Sequence, residues 1–418
     1  MMRIRLRLPV FAALITVFLI AQLVQPSQTW MFLLTVFSGI FISAYLWTRS
    51  LGMSLQLRRE TRLGWIQVGG QIEERITLSN TSVLPAAWIQ FKDHSTLPEF
   101  HASRSTSISA GFFDQWIVTA DSNQRGLFYL GDADIVTGDP FGIFEATIHA
   151  SERTSILVLP QVLTLPEFLI LPSGSFGDGQ PRRNAPEQTI HASTVREYVH
   201  GDSVRMIHWP TTARTNKVFV RLMESAPAGD WWILLDLDKK NLFGTSWDSI
   251  EEQSVMLAAS LASRGLRDRK AVGLVTNSKD PAWIHPQKGE GQRWEILQSL
   301  ALAQPAELTL TQTLERIQPL LGRRHSLIIV TASPKPDWLK SLPPLIKSGI
   351  VPTVFLFDAA TFGGNESPAS VAANLDGLGI KYHLISHGLL EPPKVLPRQQ
   401  GGWKWRSTPT GEIVPIRS

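Results

Sequence analysis

Two long apolar runs dominate the hydrophobic pattern at the start of the chain. They cover residues 8–24 and 30–47, contain no charged side chain, and are separated by the connector QPSQT, in which Pro26 suits a tight turn. Each run is close to the length that a helix needs to cross the hydrocarbon core of a membrane. Aromatic rings, which prefer membrane interfaces, lie at the ends of the second run: Trp30, Tyr45 and Trp47. The pattern predicts a transmembrane helical hairpin over residues 1–50.

The basic residues around these runs predict its orientation. Arginines precede the first run and follow the second, whereas the connector has none: Arg3, Arg5, Arg7, Arg49, Arg58, Arg59 and Arg62. Because positive residues favour the cytoplasmic side, we expect two transmembrane helices in the inner (plasma) membrane with both termini cytoplasmic. A cleaved signal peptide over residues 1–25 is the alternative, but no small-x-small site precedes Gln25 and a second apolar run follows at once.

Residues 51–158 carry the alternating pattern of half-buried strands, for example in QIEERITLSN. Turn signals punctuate the region, among them Gly69-Gly70 and the Asp139-Pro140 pair. Short strands with regular turns predict a β-sandwich-like domain. Three apolar residues after the Asp-Pro turn are predicted to serve core or interdomain packing: Phe141, Ile143 and Phe144.

A Pro- and Gly-rich linker is predicted over residues 159–192, and strands and helices alternate beyond it. The continuous apolar run WWILLDLD is typical of a buried parallel strand, and similar runs follow in AVGLVTN, HSLIIVTA, VPTVFLFDA and IKYHLIS. Amphipathic helices are predicted between them over residues 249–264, 291–303, 311–321, 337–348 and 368–378. This alternation predicts an α/β, doubly wound sheet within residues 193–390, followed by an irregular tail over 391–418.

The composition is consistent with this organisation. The 418 residues suffice for two or three folded units, and a charged fraction of 18% beside 43% hydrophobic residues is typical of a chain diluted by a membrane segment. The net charge of +4 comes from scattered residues, which argues against a nucleic-acid partner; binding of nucleic acid would be steeply salt-dependent. The absence of cysteine excludes disulfides, thiolate catalysis and cysteine-ligated metals.

The segment VREYVHGDSVRMIHWPTTARTNKVFVR combines charges of both signs with large aromatic residues. Its most distinctive positions are Arg196, Glu197, Tyr198, Gly201, Asp202, Arg205, Trp209 and Arg214. Gly201 and Asp202 suit a turn, and the arginines suit bidentate pairing with nearby acids: Glu197, Asp202 and Glu224. Two interpretations stay open, namely a network that fastens the linker to the α/β sheet and an exposed arginine-rich face that binds an acidic partner.

These positions resemble the signature of domain-of-unknown-function family 58, whose members carry a von Willebrand factor A-like domain. The resemblance extends to the order of a membrane hairpin, a small β domain with a GDPFG phrase, the signature and an α/β sheet. It implies a non-catalytic, membrane-anchored adaptor that presents its von Willebrand A-like domain to cytoplasmic partners. It further implies a MoxR-type AAA ATPase and a transglutaminase-like membrane protein as partners, in the assembly or maturation of another complex.

An acidic pair at the end of the first α/β strand is the candidate metal site. Asp236 and Asp238 lie at the carboxyl edge of the predicted sheet, where open α/β sheets place ligands. In von Willebrand A domains an Asp-x-Ser-x-Ser motif binds Mg²⁺ here; Asp236 matches its first ligand, whereas Asp238 and Lys240 replace the serines. A lysine ammonium offers no lone pair and repels a cation, so the motif is degenerate.

Two interpretations of this acidic pair stay open. One is a metal-dependent sensor or enzyme, in which later strand ends supply hydroxyls from Thr276 and Thr331. The other is a salt bridge between Asp238 and either Lys239 or Lys240.

Other motifs for chemistry are missing from the sequence. It contains no phosphate-binding loop, no Gly-x-Ser-x-Gly elbow and no His-Glu-x-x-His, and the spacing of its clustered histidines matches no metal motif: His191, His200 and His208. We therefore predict no catalytic residue, no required cofactor and no enzymatic activity.

Overall fold

The protein divides into two compact units, which comprise residues 1–159 with 393–418, and residues 160–392. The computed structural model describes residues 2–61, 64–165, 192–199, 207–215, 217–223, 230–322, 325–350, 352–390, 404–407 and 413–416. Most of the predicted linker, residues 166–191, therefore lies outside the described ranges.

The first unit contains two apolar helices that pack antiparallel. Helix α1 (Pro9–Val24) begins with a proline, which suits a first helical position, and α2 (Gln28–Ser54) is capped by the Ser27 hydroxyl. Rings meet between the helices: Phe11 and Phe18 with Phe37, and Phe18 with Trp30. Among the described helices, α2 is long and apolar enough to cross a membrane, and α1, with 16 residues, is shorter.

A strand that the sequence analysis did not predict precedes α1. Strand β1 (Met2–Leu6) pairs antiparallel with β9 (Phe144–Leu159). Its alternation of apolar residues with exposed Arg3 and Arg5 gives one apolar face, which packs on the sandwich. The polypeptide therefore enters the hairpin from the same β domain to which it returns after α2.

Helix α2 is longer than its apolar run because its last turns belong to the β domain. Ala44, Thr48 and Leu51 are buried, and the Trp47 indole N–H donates to the Pro85 carbonyl at 3.2 Å. The helix ends where β2 begins, so the hairpin is joined to the domain by packing as well as by the chain.

Residues 55–159 form the predicted strands in two facing sheets. The remaining strands of this domain are β2 (Leu55–Thr61), β3 (Trp65–Gln67), β4 (Gln71–Asn80), β5 (Ala86–Asp93), β6 (Arg104–Ile108), β7 (Phe113–Asp121) and β8 (Gly126–Gly138). One sheet has the order β1-β9-β8-β5-β6 with β3 added beside β9, and the other has the order β2-β4-β7. Buried residues of both sheets share one core, including Ile76, Leu78, Ile89, Phe91 and Ile135. The arrangement is a β-sandwich.

The turn between β8 and β9 is organised by the buried carboxylate of Asp139. It accepts hydrogen bonds from the backbone N–H groups of Phe141, Ile143 and Phe144, at 2.9, 3.3 and 2.6 Å. Ile143 and Phe144 are buried, and the ring centroids of Phe144 and of Phe41 in α2 lie 4.9 Å apart. The predicted packing role is thus correct for two of the three residues, whereas Phe141 is exposed.

The second unit is built on a six-stranded sheet. Its strands are β12 (Asp230–Leu235), β13 (Val272–Thr276), β14 (Trp283–Gln287), β15 (His325–Thr331), β16 (Thr353–Phe357) and β17 (Tyr382–Ile385). Their order is β14-β13-β12-β15-β16-β17, and all pairs are parallel except β13 with β14. Strand β14 was not predicted, because Pro286 interrupts its pattern; proline is tolerated at this edge.

Helices cover both faces of this sheet. They are α4 (Ile250–Arg267), α5 (Glu290–Leu302), α6 (Leu310–Ile317), α7 (Leu342–Lys347) and α8 (Ala369–Gly377), close to the predicted ranges. Trp232 and Leu234 of β12 share a core cluster with α6, α7 and α8, and no α4 residue joins that cluster. Helix α4 packs on β12, β13 and β15. Because neighbouring strand residues face opposite sides, α4 lies on the other face.

Two further hairpins complete the described chain. Strand β10 (Ala192–Glu197), helix α3 (Trp209–Thr215) and strand β11 (Phe219–Met223) contain the described part of the signature, and β10 and β11 form a two-stranded sheet of their own. In the tail, β18 (Lys404–Ser407) pairs antiparallel with β19 (Ile413–Ile416). The expectation of an irregular tail is wrong for these strands, which flank a sequence with the turn formers Pro409 and Gly411.

Candidate functional site

Three polar side chains meet at the carboxyl edge of the α/β sheet. Asp236 directly follows β12, Asn277 directly follows β13, and Thr331 is the last residue of β15. These strands are adjacent and parallel, so their carboxyl ends lie at one edge. Asp236 is 2% exposed, and Asn277 and Thr331 are completely buried.

Both oxygens of the Asp236 carboxylate are occupied by donors from the protein. Oδ2 accepts from the Thr331 hydroxyl at 2.6 Å, and Oδ1 accepts from Asn277 Nδ2 at 2.6 Å and from the Asp238 N–H at 3.2 Å. Asn277 also accepts from the Leu237 N–H at 2.5 Å through its Oδ1. The network therefore joins the ends of three strands.

Burial is the largest influence on this carboxyl group, and it raises the pKa of Asp236 above its ordinary value. The hydrogen bonds from Thr331, Asn277 and the Asp238 N–H act in the opposite direction but do not cancel the effect. No cationic side chain is among the causes of this shift, so the negative charge depends on neutral donors alone.

Asp238 has a different environment from the one predicted. Its Oδ1 accepts from the backbone N–H of Lys240 at 3.1 Å and thereby caps the short 3-10 turn Lys239–Asn241. Neither Lys239 nor Lys240 forms a salt bridge with Asp238 in the described part of the chain, and both lysines are exposed. Asp238 therefore contacts Lys240 through the backbone N–H of that residue, while the side chains of both lysines lie in solvent.

Of the two threonines proposed as hydroxyl donors, Thr331 takes part in the network and Thr276 does not. The Thr276 hydroxyl lies 2.8 Å from the Ser278 hydroxyl and accepts from the Ala282 N–H at 3.0 Å, which places it in the turn before β14. Asn277 occupies the expected position instead. Its position directly after an apolar strand was the signal that could have identified it.

The described geometry is a hydrogen-bond network among the ends of three strands. Mg²⁺ requires several oxygen ligands in near-octahedral array, whereas Asp236 presents oxygens that already accept from N–H and O–H groups. Within the described ranges, no group of three or more His, Asp or Glu side chains is arranged to hold a metal ion.

The signature residues are divided between described and undescribed parts of the chain. Gly201, Asp202 and Arg205 lie outside the described residues, and so does Glu224. Arg196 and Glu197 lie in β10, and Arg214 lies in the last turn of α3. Two backbone hydrogen bonds hold the segment of β10, α3 and β11 together. The Tyr198 N–H donates to the Val218 carbonyl at 2.8 Å, and the His208 N–H donates to the Phe219 carbonyl at 2.7 Å.

Exposed aromatic and charged side chains are concentrated on this hairpin. Trp209 is 67% exposed, and further exposed residues are Tyr198, Val199, Arg214, Lys217 and Val218. Glu197 pairs with Lys217 at 2.6 Å. The hydrogen bond to Glu197 is the main cause that raises the pKa of Lys217. We call Glu197, the exposed side chains of α3 and the flanking residues 198, 199, 217 and 218 the signature surface.

The fold and these sites define a two-unit protein in which a β-sandwich with apolar helices is joined to an α/β unit of mixed sheet order. Residues 194–359 match the family model described as "Protein of unknown function DUF58". The match confirms the family predicted from the signature and covers the chain from β10 to the end of β16.

A curated relative is similar to part of this chain. The "Uncharacterized protein YeaD" of Bacillus subtilis (strain 168) is 22% identical over 182 residues, which are 43% of this chain and 43% of the relative. The matched part is thus less than half of that relative's length.

Solved structures resemble parts of this chain weakly. The CARDB domain of PF1109 from Pyrococcus furiosus is 8% identical with a TM-score of 0.20, and the similarity covers 25% of this chain and 94% of that one. Proximal thread matrix protein 1 from the mussel byssus is 10% identical with a TM-score of 0.24, over 36% of this chain and 46% of that one. These TM-scores are too low to support a statement about fold or function.

Proposed function

We propose that this protein is a membrane-anchored, non-catalytic adaptor whose α/β unit is a von Willebrand A-like, doubly wound domain that binds a cytoplasmic protein partner. The observation that carries the proposal is the signature surface. It exposes Trp209 and Tyr198 together with Arg214, and tryptophan, tyrosine and arginine are the residue types that contribute most to protein interfaces. When such residue types are exposed together on one small element, they indicate a site of protein interaction.

The sheet order supports the von Willebrand A-like assignment. The order β14-β13-β12-β15-β16-β17 corresponds to 3-2-1-4-5-6 in chain order, with helices on both faces and one antiparallel edge strand. In such sheets, ligands bind outside the carboxyl ends of the strands. Here both oxygens of Asp236 at that edge accept hydrogen bonds from the protein, which favours a domain that acts through its surface.

The N-terminal part supports a membrane anchor with both termini on one side. Strand β1 precedes the hairpin and β2 follows it, and both belong to the same β-sandwich. Since one folded domain cannot lie on both sides of a membrane, the two helix ends near it lie on one side. The arginines at both flanks and their absence from the connector support a cytoplasmic location for that side.

The partner's identity rests on the family resemblance. A MoxR-type AAA ATPase and a transglutaminase-like membrane protein are the proposed partners, in assembly or maturation of another complex. A metal-dependent sensor or enzyme is the weaker proposal, because both Asp236 oxygens accept bonds from the protein. Mg²⁺ should therefore leave the unfolding midpoint of the wild-type chain unchanged, and a rise that disappears in Asp236→Ala would support the metal proposal.

The adaptor proposal is tested by crosslinking and capture from solubilised membranes. The test variant Trp209→Ala/Arg214→Glu changes the signature surface, and the matched control Trp294→Ala/Arg316→Glu changes an exposed tryptophan and an exposed arginine elsewhere in the same unit. We expect an AAA ATPase to be captured by wild type and control and to be lost with the test variant, after circular dichroism has shown that both variants are folded. Equal capture by all three proteins would contradict the proposal.

A further inference from the structure

Two loops of the β-sandwich expose large apolar side chains beside the helical hairpin. Val83 is 87% exposed in the loop between β4 and β5, and Phe141 is 59% exposed in the turn between β8 and β9. Exposed apolar residues on a soluble surface are common singly, but these two flank the same apolar helices.

Contacts of the two loops with the helices fix this position. The backbone N–H groups of Arg7 and Leu8, which lead into α1, donate to the Ile143 carbonyl at 2.8 and 3.3 Å. In the other loop, the Pro85 carbonyl accepts from the Trp47 indole of α2. Val83 and Phe141 are each two residues from these contacts, so both lie where the hairpin leaves the sandwich.

The length of the free hairpin brings this rim of the sandwich close to the lipid. From Ile40 onward, α2 packs on the sandwich through Phe41 and Ala44. Phe11 of α1 packs in the same cluster, so residues 28–39 of α2 and 12–24 of α1 extend about 18 and 20 Å beyond the sandwich, at roughly 1.5 Å per residue. The hydrocarbon core of a bilayer is about 30 Å thick. The free part of the hairpin is shorter than this thickness, so a hairpin that crosses the membrane brings the rim of the sandwich to the lipid.

We infer that Val83 and Phe141 form a membrane-contacting rim, which inserts into the interface of the bilayer that holds the hairpin. The inference rests on the proposed membrane anchoring. Exposed Arg7 and Arg49, at the helix ends on this side, suit the headgroups of anionic lipids, and Tyr45 and Trp47 lie at the level expected for interfacial rings. Contact of the rim with lipid fixes the orientation of the sandwich relative to the membrane surface.

The experiment uses the absence of cysteine, which allows single spin labels in the full-length chain. Val83→Cys and Phe141→Cys are labelled in nanodiscs of phosphatidylcholine and phosphatidylglycerol, and collision rates with oxygen and a nickel chelate are measured. Leu19→Cys, on the exposed face of α1, reports the membrane interior. Gln124→Cys, in the exposed β7–β8 turn at the opposite end of the sandwich, reports water.

We expect the labels at positions 83 and 141 to collide with the nickel chelate several-fold less than the label at 124, while oxygen still reaches them. Nickel access equal to that at 124, with the Leu19→Cys label immersed, would overturn the rim and leave the membrane anchor intact. Protection from both reagents would overturn it in favour of a protein that covers the loops. An aqueous signal at position 19 would refute the membrane anchor itself.

Discussion

The β-sandwich and the α/β unit both bury acidic side chains, but they stabilise them in different ways. In the sandwich, the Arg59 guanidinium binds Glu74 through two hydrogen bonds of 2.8 and 2.6 Å and binds Asp93 through one of 2.6 Å. In the α/β unit, Asp236 has no cation and depends on a hydroxyl, an amide and a backbone N–H. A buried charge with a counter-charge and a buried charge with neutral donors have different sensitivities to mutation and to pH.

The pKa shifts follow this difference. Burial opposes the charged form of Arg59, but the hydrogen bonds and charges of Glu74 and Asp93 outweigh it and raise the pKa of Arg59. Its ionic state is therefore fixed at all ordinary pH values. For Asp236, burial outweighs the hydrogen bonds and raises the pKa. Of the two networks, the α/β network is therefore the one in which a buried carboxylate is protonated more readily.

The largest expected effect comes from removing the cation of the sandwich network. Arg59→Met leaves Glu74 and Asp93 buried without a counter-charge, and we expect a loss of about 3–5 kcal/mol in the free energy of unfolding. The measurement is urea unfolding of the full chain in detergent micelles, with a fluorescent label on Gln124→Cys to report the sandwich.

The matched control is Arg58→Met on the same strand. Arg58 pairs with Glu60 at 2.9 Å in solvent, and such exposed pairs contribute at most about 1 kcal/mol. If Arg59→Met lost no more than Arg58→Met, the sandwich network would not be a stabilising centre and the contrast between the units would disappear.

A smaller loss is expected from Asp236→Ala. The substitution leaves the buried Thr331 hydroxyl without its acceptor and removes one of the two acceptors of the Asn277 amide, and one unsatisfied buried donor costs roughly 1–3 kcal/mol. Because the substitution also removes an unpaired buried charge, we expect a net loss of about 2–3 kcal/mol. A label on Glu315→Cys, exposed on α6, reports the unfolding of this unit.

Asp280→Ala is the control for this prediction, since Asp280 is exposed in the turn before β14. It should change the stability by no more than about 0.5 kcal/mol. A stabilised Asp236→Ala variant would show that the buried carboxylate is kept for a function other than holding the strands together.

The secondary structure could be predicted from periodicity wherever one face of an element is buried. The strand WWILLDLD and the helix that Ser249 caps were found for this reason. Strand β1 carries the same signal in the alternation of MRIRL, but it directly precedes a long apolar helix and was counted with it.

The networks could not be predicted, because they depend on registers that bring distant residues together. Arg59 is 15 residues from Glu74 and 34 from Asp93, and it meets both only through the pairing of β2 with β4 and the packing of two sheets. The end of an apolar strand predicts Asp236, whereas a metal motif with serine hydroxyls does not predict the amide of Asn277. A family motif predicts only its own residue types, whereas a degenerate site has other residue types at the same positions.

The two units should respond to acid in opposite directions. Asp236 binds its proton more tightly in the folded chain, so its contribution is complete below the ordinary carboxyl pKa and is lost as pH rises through the raised value. In the sandwich, hydrogen bonds from Arg153 to Asp132 and from His149 to Asp134 lower the pKa of both carboxyls. Their contribution is present above the ordinary pKa and is lost as pH falls through the lowered values.

Urea unfolding from strongly acidic pH, below the ordinary carboxyl pKa, to neutral pH, followed with the labels at 124 and 315, measures both slopes. Asp236→Asn should flatten the slope of the α/β unit alone, and Asp134→Asn should reduce that of the sandwich alone. Parallel slopes in the two units would contradict the assignment of the shifts to these carboxyls.

The smallest expected effect separates the two interpretations of the signature. Lys217 pairs with Glu197 in solvent, so Lys217→Ala should change the stability of the α/β unit by less than about 1 kcal/mol, as should the control Lys340→Ala, which breaks the exposed pair with Asp337. If the signature is a binding surface, Lys217→Ala lowers partner capture while the unfolding curve stays in place, and Lys340→Ala changes neither. If the signature instead fastens the linker to the sheet, the unfolding curve moves and capture by the folded protein does not. If the substitution of a surface residue leaves the free energy of unfolding almost unchanged but lowers partner capture, that residue acts in binding the partner.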